Sequence, residues 1–200
     1  FTNTVEYGVL SNIHVGNTEA YIEDLIGNAQ VSRAIDDEIV ADYHYNNKFL
    51  LTIFNKDKRV IAYTVIPLVD DFHWEVSNTD EIEWTLQVST YSEFPANPKL
   101  YAVDHSKTAS YYIESLDTGR TGLFVNSYLG NVSIGDRSQS MSVIALYNKE
   151  VTGTDEEIFT AQTKLRESTS PNLFGAGKLD LELIQRSILT GAEFSSYFGR

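Results

Sequence analysis

The sequence predicts an α+β fold: a largely antiparallel sheet with helices packed on one face. Three observations carry that expectation. Runs rich in β-branched and aromatic residues, at 39–45, 48–54 and 59–66, are separated only by short polar turns. Connections that short join antiparallel neighbours. Residues 82–89 alternate strictly, with Ile82, Trp84, Leu86 and Val88 apolar and the residues between them polar. Helical stripes with recognisable caps stand near both ends of the chain.

The first helix is expected from about Asn17 to Ile26. Asn17 or Thr18 can cap it, Glu19 suits the positive end of the helix dipole, and Gly27 can end it in a left-handed conformation. Ile22, Leu25 and Ile26 share one face, which should point inward. Residues 31–35 read as a linker or short strand. The three runs that follow form a meander, with turns at Asn46–Asn47 and at 55–58. Pro67, Asp70 and Asp71 mark a loop.

The stretch 92–98, with Pro95 and Pro98, breaks helix and central strand alike. It divides a helix-plus-meander unit (1–92) from a strand-rich segment ending in two helices (99–200), within one domain or between two. Strands are expected at 99–104, 109–115, 121–126 and 141–147, with a hairpin turn at 116–120. Thr154 and Glu157 form a capping box that starts a helix striped by Ile158, Ala161 and Leu165. A last helix, at about 179–189, places Leu181, Ile184 and Ile188 on one side.

Two hundred residues, 42% of them hydrophobic, can bury a substantial core. The formal charge of −13, from 28 acidic and 15 basic residues, argues against a surface for nucleic acid or anionic lipid. Cysteine is absent from the sequence, which excludes disulfides, thiolate nucleophiles and Cys-type zinc sites. No apolar run is long enough to span a membrane. A chain that starts at Phe1 is expected to be a fragment from which an upstream signal or anchor has been removed.

Chemical motifs are sparse. His14, His44, His73 and His105 have no metal-site spacing. Asp104, His105 and Ser106 are adjacent, and adjacent side chains cannot form a triad. G-x-S-x-G and S-x-x-K do not occur. The segment 172–178, Asn-Leu-Phe-Gly-Ala-Gly-Lys, is similar to a phosphate cradle, but Leu179 stands where a Mg²⁺-binding hydroxyl is needed. A loop between two helices is the expected role. A second candidate glycine loop, 130–135, also contains paired glycines. Acidic clusters at 36–38, 70–71, 80–81 and 155–157 do not follow the EF-hand pattern. Asn131-Val132-Ser133 is a glycosylation triplet, meaningful only in a secreted eukaryotic chain.

The residues Gly16-Asn17-Thr18, Leu25-Ile26-Gly27, Tyr43-His44-Tyr45 and the hairpin 49–54 with 59–63 carry a resemblance. This helix followed by antiparallel strands, over residues 13–68, resembles the unit found in SmpA/OmlA outer-membrane lipoproteins and in β-lactamase inhibitor protein. A proline usual after the closing glycine of that pattern is replaced here by Asn28-Ala29. The resemblance implies a non-catalytic, extracytoplasmic protein that binds other proteins through a sheet face or loops, with no catalytic residue to carry over.

Aromatic side chains are the expected binding anchors. Most of the 12 tyrosines and 10 phenylalanines must pack inside, but one on an outward sheet face would serve a partner. The candidates are Tyr43, Tyr45, Phe72, His73 and Trp74. The expected function is a non-catalytic protein-binding domain, the soluble extracytoplasmic part of a bacterial membrane-anchored or exported protein, with a protein partner and neither cofactor nor metal. The alternatives are a hydrolase using Asp, Glu and His, and a small-molecule sensor with its ligand between sheet and helices.

Overall fold

The computed structural model describes residues 7–76, 84–117, 125–135 and 138–199. The elements run α1 (Tyr7–Leu10), α2 (Glu19–Ile26), β1 (Val31–Ala34), β2 (Val40–Tyr45), β3 (Phe49–Lys56), β4 (Arg59–Pro67), β5 (Pro98–His105), β6 (Ser110–Asp117) and β7 (Asn126–Val132). They continue with α3 (Met141–Thr152), α4 (Asp155–Ser168), β8 (Leu173–Gly177), α5 (Leu181–Ser187) and α6 (Gly191–Phe198).

The α+β class is as expected. Eight antiparallel strands form one sheet in the order β1-β2-β3-β4-β8-β7-β6-β5. Two meanders, β1–β4 and β5–β7, are therefore joined by β8, which pairs with β4 on one side and β7 on the other. The β3–β4 hairpin turns at Asp57 and Lys58, both at positive φ (50° and 60°), the twist-matched geometry of a two-residue loop. At the other end of β3, Asn46 Oδ1 accepts from the backbone N–H of Lys48 and Phe49, both at 2.8 Å, and so holds the β2–β3 turn.

Helices cover both faces of the sheet, where one face was expected. Side chains alternate along a strand, so Phe49, Leu51 and Ile53 of β3 enter one core while Leu50 and Phe54 enter the other. The first core adds Ile22 and Ile26 of α2, Val143 and Leu146 of α3, Leu165 of α4, and Phe72, Trp84, Leu86, Tyr91 and Phe94 from the segment after β4. The second adds Leu181 and Ile184 of α5 and Phe194 of α6. With both faces covered, β3 is buried from Phe49 to Asn55 rather than at alternate residues, and it is apolar there except at Thr52 and Asn55.

The first helix starts and ends where its caps predict, although Gly27 closes it with an extended ψ of −178° and not in the left-handed helical conformation. Thr18 Oγ1 accepts from Tyr21 N–H at 3.2 Å, and Gly27, at φ 82°, donates its N–H to Glu23 O. Thr154 and Glu157 likewise close the capping box of α4.

Other expectations fail for physical reasons. Residues 141–147 are helical. Val143 and Ile144 invited a strand reading, but Val143 and Leu146 bury together at i, i+3 spacing. Among the described residues the third strand of the second meander runs from Asn126 to Val132, so Gly130 belongs to a strand and not to a glycine loop. The segment Leu173–Gly177 is the wholly buried strand β8 and not a loop between helices.

The described part of the alternating stretch, residues 84–89, keeps its pattern without forming a strand. Trp84 and Leu86 are buried and Val88 exposed, but a single bridge joins Glu75 to Thr85 and a turn follows. Gln87, at φ 68°, donates its side-chain amide to the carbonyls of Val69 (3.0 Å) and Phe72 (2.8 Å), folding this strap onto the loop after β4. Of the turn expected at 116–120, Leu116 and Asp117 belong to β6; the rest of it, most of the expected strand at 121–126 and the start of the 82–89 run lie outside the described residues.

Candidate functional site

An open cleft of about 890 Å³ lies at the end of the sheet where β2, β4 and β7 finish, walled on one side by α6. Its volume falls in the range of ligand-binding clefts. Five separate segments supply the lining. Tyr45 comes from the end of β2, Leu68 to Asp70 from the exit of β4, and Asn131 from β7. Ile134, Gly135, Ser138, Gln139 and Ser140 contribute from the stretch that follows it, with Asn172 ahead of β8 and Gly191, Phe194 and Ser195 from α6.

Carboxamide side chains fix two of these walls through the backbone. Gln30 accepts from Tyr45 N–H through Oε1 and donates to Tyr45 O through Nε2, both at 2.9 Å. Asn172 does the same to Val132, accepting from its N–H at 2.7 Å and donating to its carbonyl at 2.8 Å. Each clamp satisfies strand-end groups that have run out of ladder partners.

The α6 wall is equally anchored. Thr190 and Glu193 form a capping box, and the second oxygen of Glu193 accepts from Arg33 Nη1 at 2.9 Å, tying α6 to β1. Aromatic packing completes the wall. The Tyr45 ring stacks on Phe198 at 4.7 Å and meets Phe194 edge-on at 5.8 Å.

Apart from Asp70, the described lining is uncharged and hydrogen-bonding. Ser138, Gln139 and Ser195 are exposed, Ser140 half-exposed, and Asp70 is the sole carboxylate among the described lining residues, with no histidine among them. A general acid–base pair is not assembled from these groups. They can orient a polar, uncharged ligand against an aromatic and aliphatic wall.

The expected anchors do not form one surface. Tyr43 is fully buried in the second core, where its hydroxyl donates to Ser187 O at 2.7 Å; burial pushes its phenol up to about 12, with Arg33 opposing. Phe72 is fully buried in the first core, on the other side of the sheet, edge-on to Phe49. Trp74 is half-buried against Phe174, and His73 beside it is exposed. Tyr45 alone of the five lines the cleft. The two wholly buried rings cannot act as exposed anchors, because helices cover both sheet faces.

A second polar cluster lies inside the first core. Glu114 of β6 accepts from Arg166 Nε of α4 at 3.1 Å and from the Tyr112 hydroxyl at 2.9 Å. Gln162 donates to that hydroxyl at 3.0 Å, and Arg166 Nη2 reaches the carbonyls of Tyr91 and Ala96. Burial pushes the Glu114 carboxyl and the Tyr91 and Tyr112 phenols up, while Arg166 pulls each back. Each partner is satisfied and the site is closed, so the cluster is a bolt between α4, β6 and the strap at 91–96.

Sequence reasoning missed Asn172, Phe194 and Ser195. The signal for α6 was present: Thr190-Gly191-Ala192-Glu193 is a capping box ahead of Phe194 and Phe198. Compared with known protein families, with curated proteins and with solved structures, the chain has no match.

Proposed function

We propose that this chain is a non-catalytic binding domain whose cleft at the sheet end receives a neutral, hydrogen-bonding segment of a partner protein. The observation that carries this reading is the cleft itself: about 890 Å³, open to solvent, lined by serine, glutamine and asparagine beside Tyr45 and Phe194. Hydroxyl and carboxamide groups against an aromatic wall suit peptide backbone and polar side chains. The order of α2 followed by the β1–β4 meander agrees with the unit of extracytoplasmic binding proteins that residues 13–68 resemble. On that analogy the domain works outside the cytoplasm.

A small-molecule sensor is the second reading, favoured by a cleft volume within the range of small-ligand sites. A hydrolase is less well supported, since the described lining brings one carboxylate and no histidine.

The test is Ser195→Trp, which plugs the cleft from an exposed position on α6 without entering either core. Chemical crosslinking in envelope extract, followed by peptide identification, should yield one partner whose crosslinks map to the cleft rim. That partner should be lost with Ser195→Trp, at unchanged melting temperature. Equal recovery by both proteins overturns the reading, and a cleft filled by a co-purifying small molecule moves it to the sensor.

A further inference from the structure

The sheet has two edges, and they differ. β1 is four residues long and carries Arg33, which reaches across to Glu193 of α6. Shortness and charge are devices by which an edge discourages further pairing. β5 is eight residues long, and its protective features, Pro98 and the bulge between Pro98 and Leu100, stand at its start. The backbone beyond them is open. Ser106 N–H donates to Ala109 O at 2.8 Å to close the β5–β6 hairpin. Hydrogen-bonded positions alternate along an antiparallel pair, so Ala102 and Asp104 bond to β6. Tyr101, Val103 and His105 turn their N–H and C=O groups outward, and no described residue bonds to these groups. All three residues are half-buried.

Helix α3 lies over this edge. Tyr147 meets His105 edge-on at 5.9 Å, and the Tyr101 hydroxyl donates to Glu150. On its inner flank Lys149 pairs with Glu157 of α4, and α4 reaches β6 through Gln162 and Arg166. The opposite flank of α3 therefore faces beyond the edge of the sheet. Ile144, Asn148 and Val151 lie there, at i, i+4 and i+7. Val151 is 65% exposed, Asn148 is exposed and Ile144 is half-buried.

We infer that β5 and the outer flank of α3 form a two-fold interface with a second copy of this chain, joining the two sheets edge to edge. Self-complementarity is what selects a second copy. A two-fold axis through Val103, perpendicular to the sheet, sets Val103 opposite Val103 of the second copy and Tyr101 opposite its His105. Each outward N–H then meets an outward carbonyl. The same axis runs α3 antiparallel to its counterpart, with Ile144 against Val151. The two Asn148 carboxamides, each both donor and acceptor, face one another. α3 touches β6 as well as β5, so its axis stands back from the edge and leaves the about 8–10 Å that packed helices need. Charge agrees. The chain carries −13 overall, which sets copies against each other over most of the surface. Along this edge Lys99 and Lys107 balance Asp104 and Glu150. The contact involves roughly half of the 20–30 residues a side of a standard interface, so the dimer is a weak one. None of these residues lines the cleft, so the dimer does not depend on what the cleft binds.

The experiment is sedimentation equilibrium of the whole chain from about 1 μM to about 1 mM. A monomer–dimer equilibrium with a dissociation constant below about 100 μM is expected. Val151→Lys, an exposed change outside both cores, should weaken the dimer about tenfold or more at unchanged melting temperature. Val103→Pro removes an N–H that bonds to nothing within the chain, at an edge position where proline is tolerated, and should abolish the dimer. Val151→Lys decides the matter if Val103→Pro does not fold. The chain has no cysteine, so a single introduced thiol reports on the contact directly. Asn148→Cys should form a disulfide-linked dimer under mild oxidation, and Lys164→Cys, exposed on α4, should not. Three results overturn the proposal: a monomer at about 1 mM, a dimer that Val151→Lys leaves unchanged, or crosslinking by Lys164→Cys as readily as by Asn148→Cys.

Discussion

Replacing Gly175 by alanine should open the sheet at its centre. Gly175 is the midpoint of β8, paired with Thr64 of β4 on one side and Tyr128 of β7 on the other. A Cβ there would stand 2.5 Å from the Tyr63 carbonyl oxygen, 2.8 Å from Thr64 Cγ2 and 3.3 Å from the Tyr128 ring. Ordinary contact begins near 3.4 Å. The closest atom belongs to the backbone of a central strand and cannot rotate away, so β4 and β8 must part by roughly 1 Å. Overpacking costs about 1–3 kcal/mol, and a rigid neighbour places this case near 3 kcal/mol. In a chain of this size that is a melting temperature lower by about 6–12 °C. Thermal unfolding followed by circular dichroism measures it, with Gly191→Ala as control. At Gly191, the first residue of α6, a Cβ meets nothing within 4 Å, so alanine there should leave stability unchanged or raise it. If Gly175→Ala melts within 1–2 °C of the parent, roughly the scatter of surface changes, the close approach of β4 to β8 is not what requires glycine.

Three further outcomes are expected. Arg166→Met leaves Glu114 buried without its cation and should cost about 3–5 kcal/mol by urea denaturation. Adding Glu114→Gln should restore part of that, and a double variant no more stable than the single one refutes the pairing. His44 is pushed down to about 4 from its ordinary 6.5, first by burial, with Asp42 opposing. The unfolded chain therefore takes up a proton below pH 6.5 that the folded chain refuses until about pH 4. Stability attributable to this group falls as pH drops through that window, by up to about 3 kcal/mol, and is level outside it. The His44→Gln variant should lack that share of the slope, and parallel curves for the two proteins would remove the assignment. Thr154→Ala breaks the α4 capping box and should cost about 1 kcal/mol, read as a melting shift of about 2–4 °C.

What could be read in the sequence was local. The helix at 19–26 announces itself through Thr18 and Gly27, and the β2–β4 meander through Asn46 and the turn at Asp57–Lys58, because each signal lies within a few residues of what it controls. The missed elements depend on distant chain. Leu173–Gly177 has weak strand propensity and two glycines, and it becomes a strand because two half-sheets need a thin partner between them. Residues 84–89 alternate like a strand, yet Gln87 spends its amide on carbonyls far earlier in the chain and turns the backbone. At 141–147 the β-branched pair outweighed the helical spacing of Val143 and Leu146.

The cleft was less legible still. Its walls come from five segments, and Asn172 and Gln30 shape it by holding backbone rather than by presenting a motif. Tyr45 was singled out for its aromatic ring, and it is the one expected anchor that reaches the site. Tyr43, two residues before it, points the same way and is sealed beneath α5, a difference of cover that strand periodicity cannot show.

The position of β8 in the sheet also bears on how the chain is made. During synthesis both meanders emerge and can fold while the strand that will separate them has yet to leave the ribosome. Until residue 177 is available, β4 and β7 each offer an unsatisfied inner edge, the state in which strands pair with the wrong neighbour or with another chain. The slow step of folding should therefore be insertion of the last strand, a contact between residues far apart in sequence. A truncation just before Leu173 should yield two ribbons that aggregate rather than a smaller stable domain.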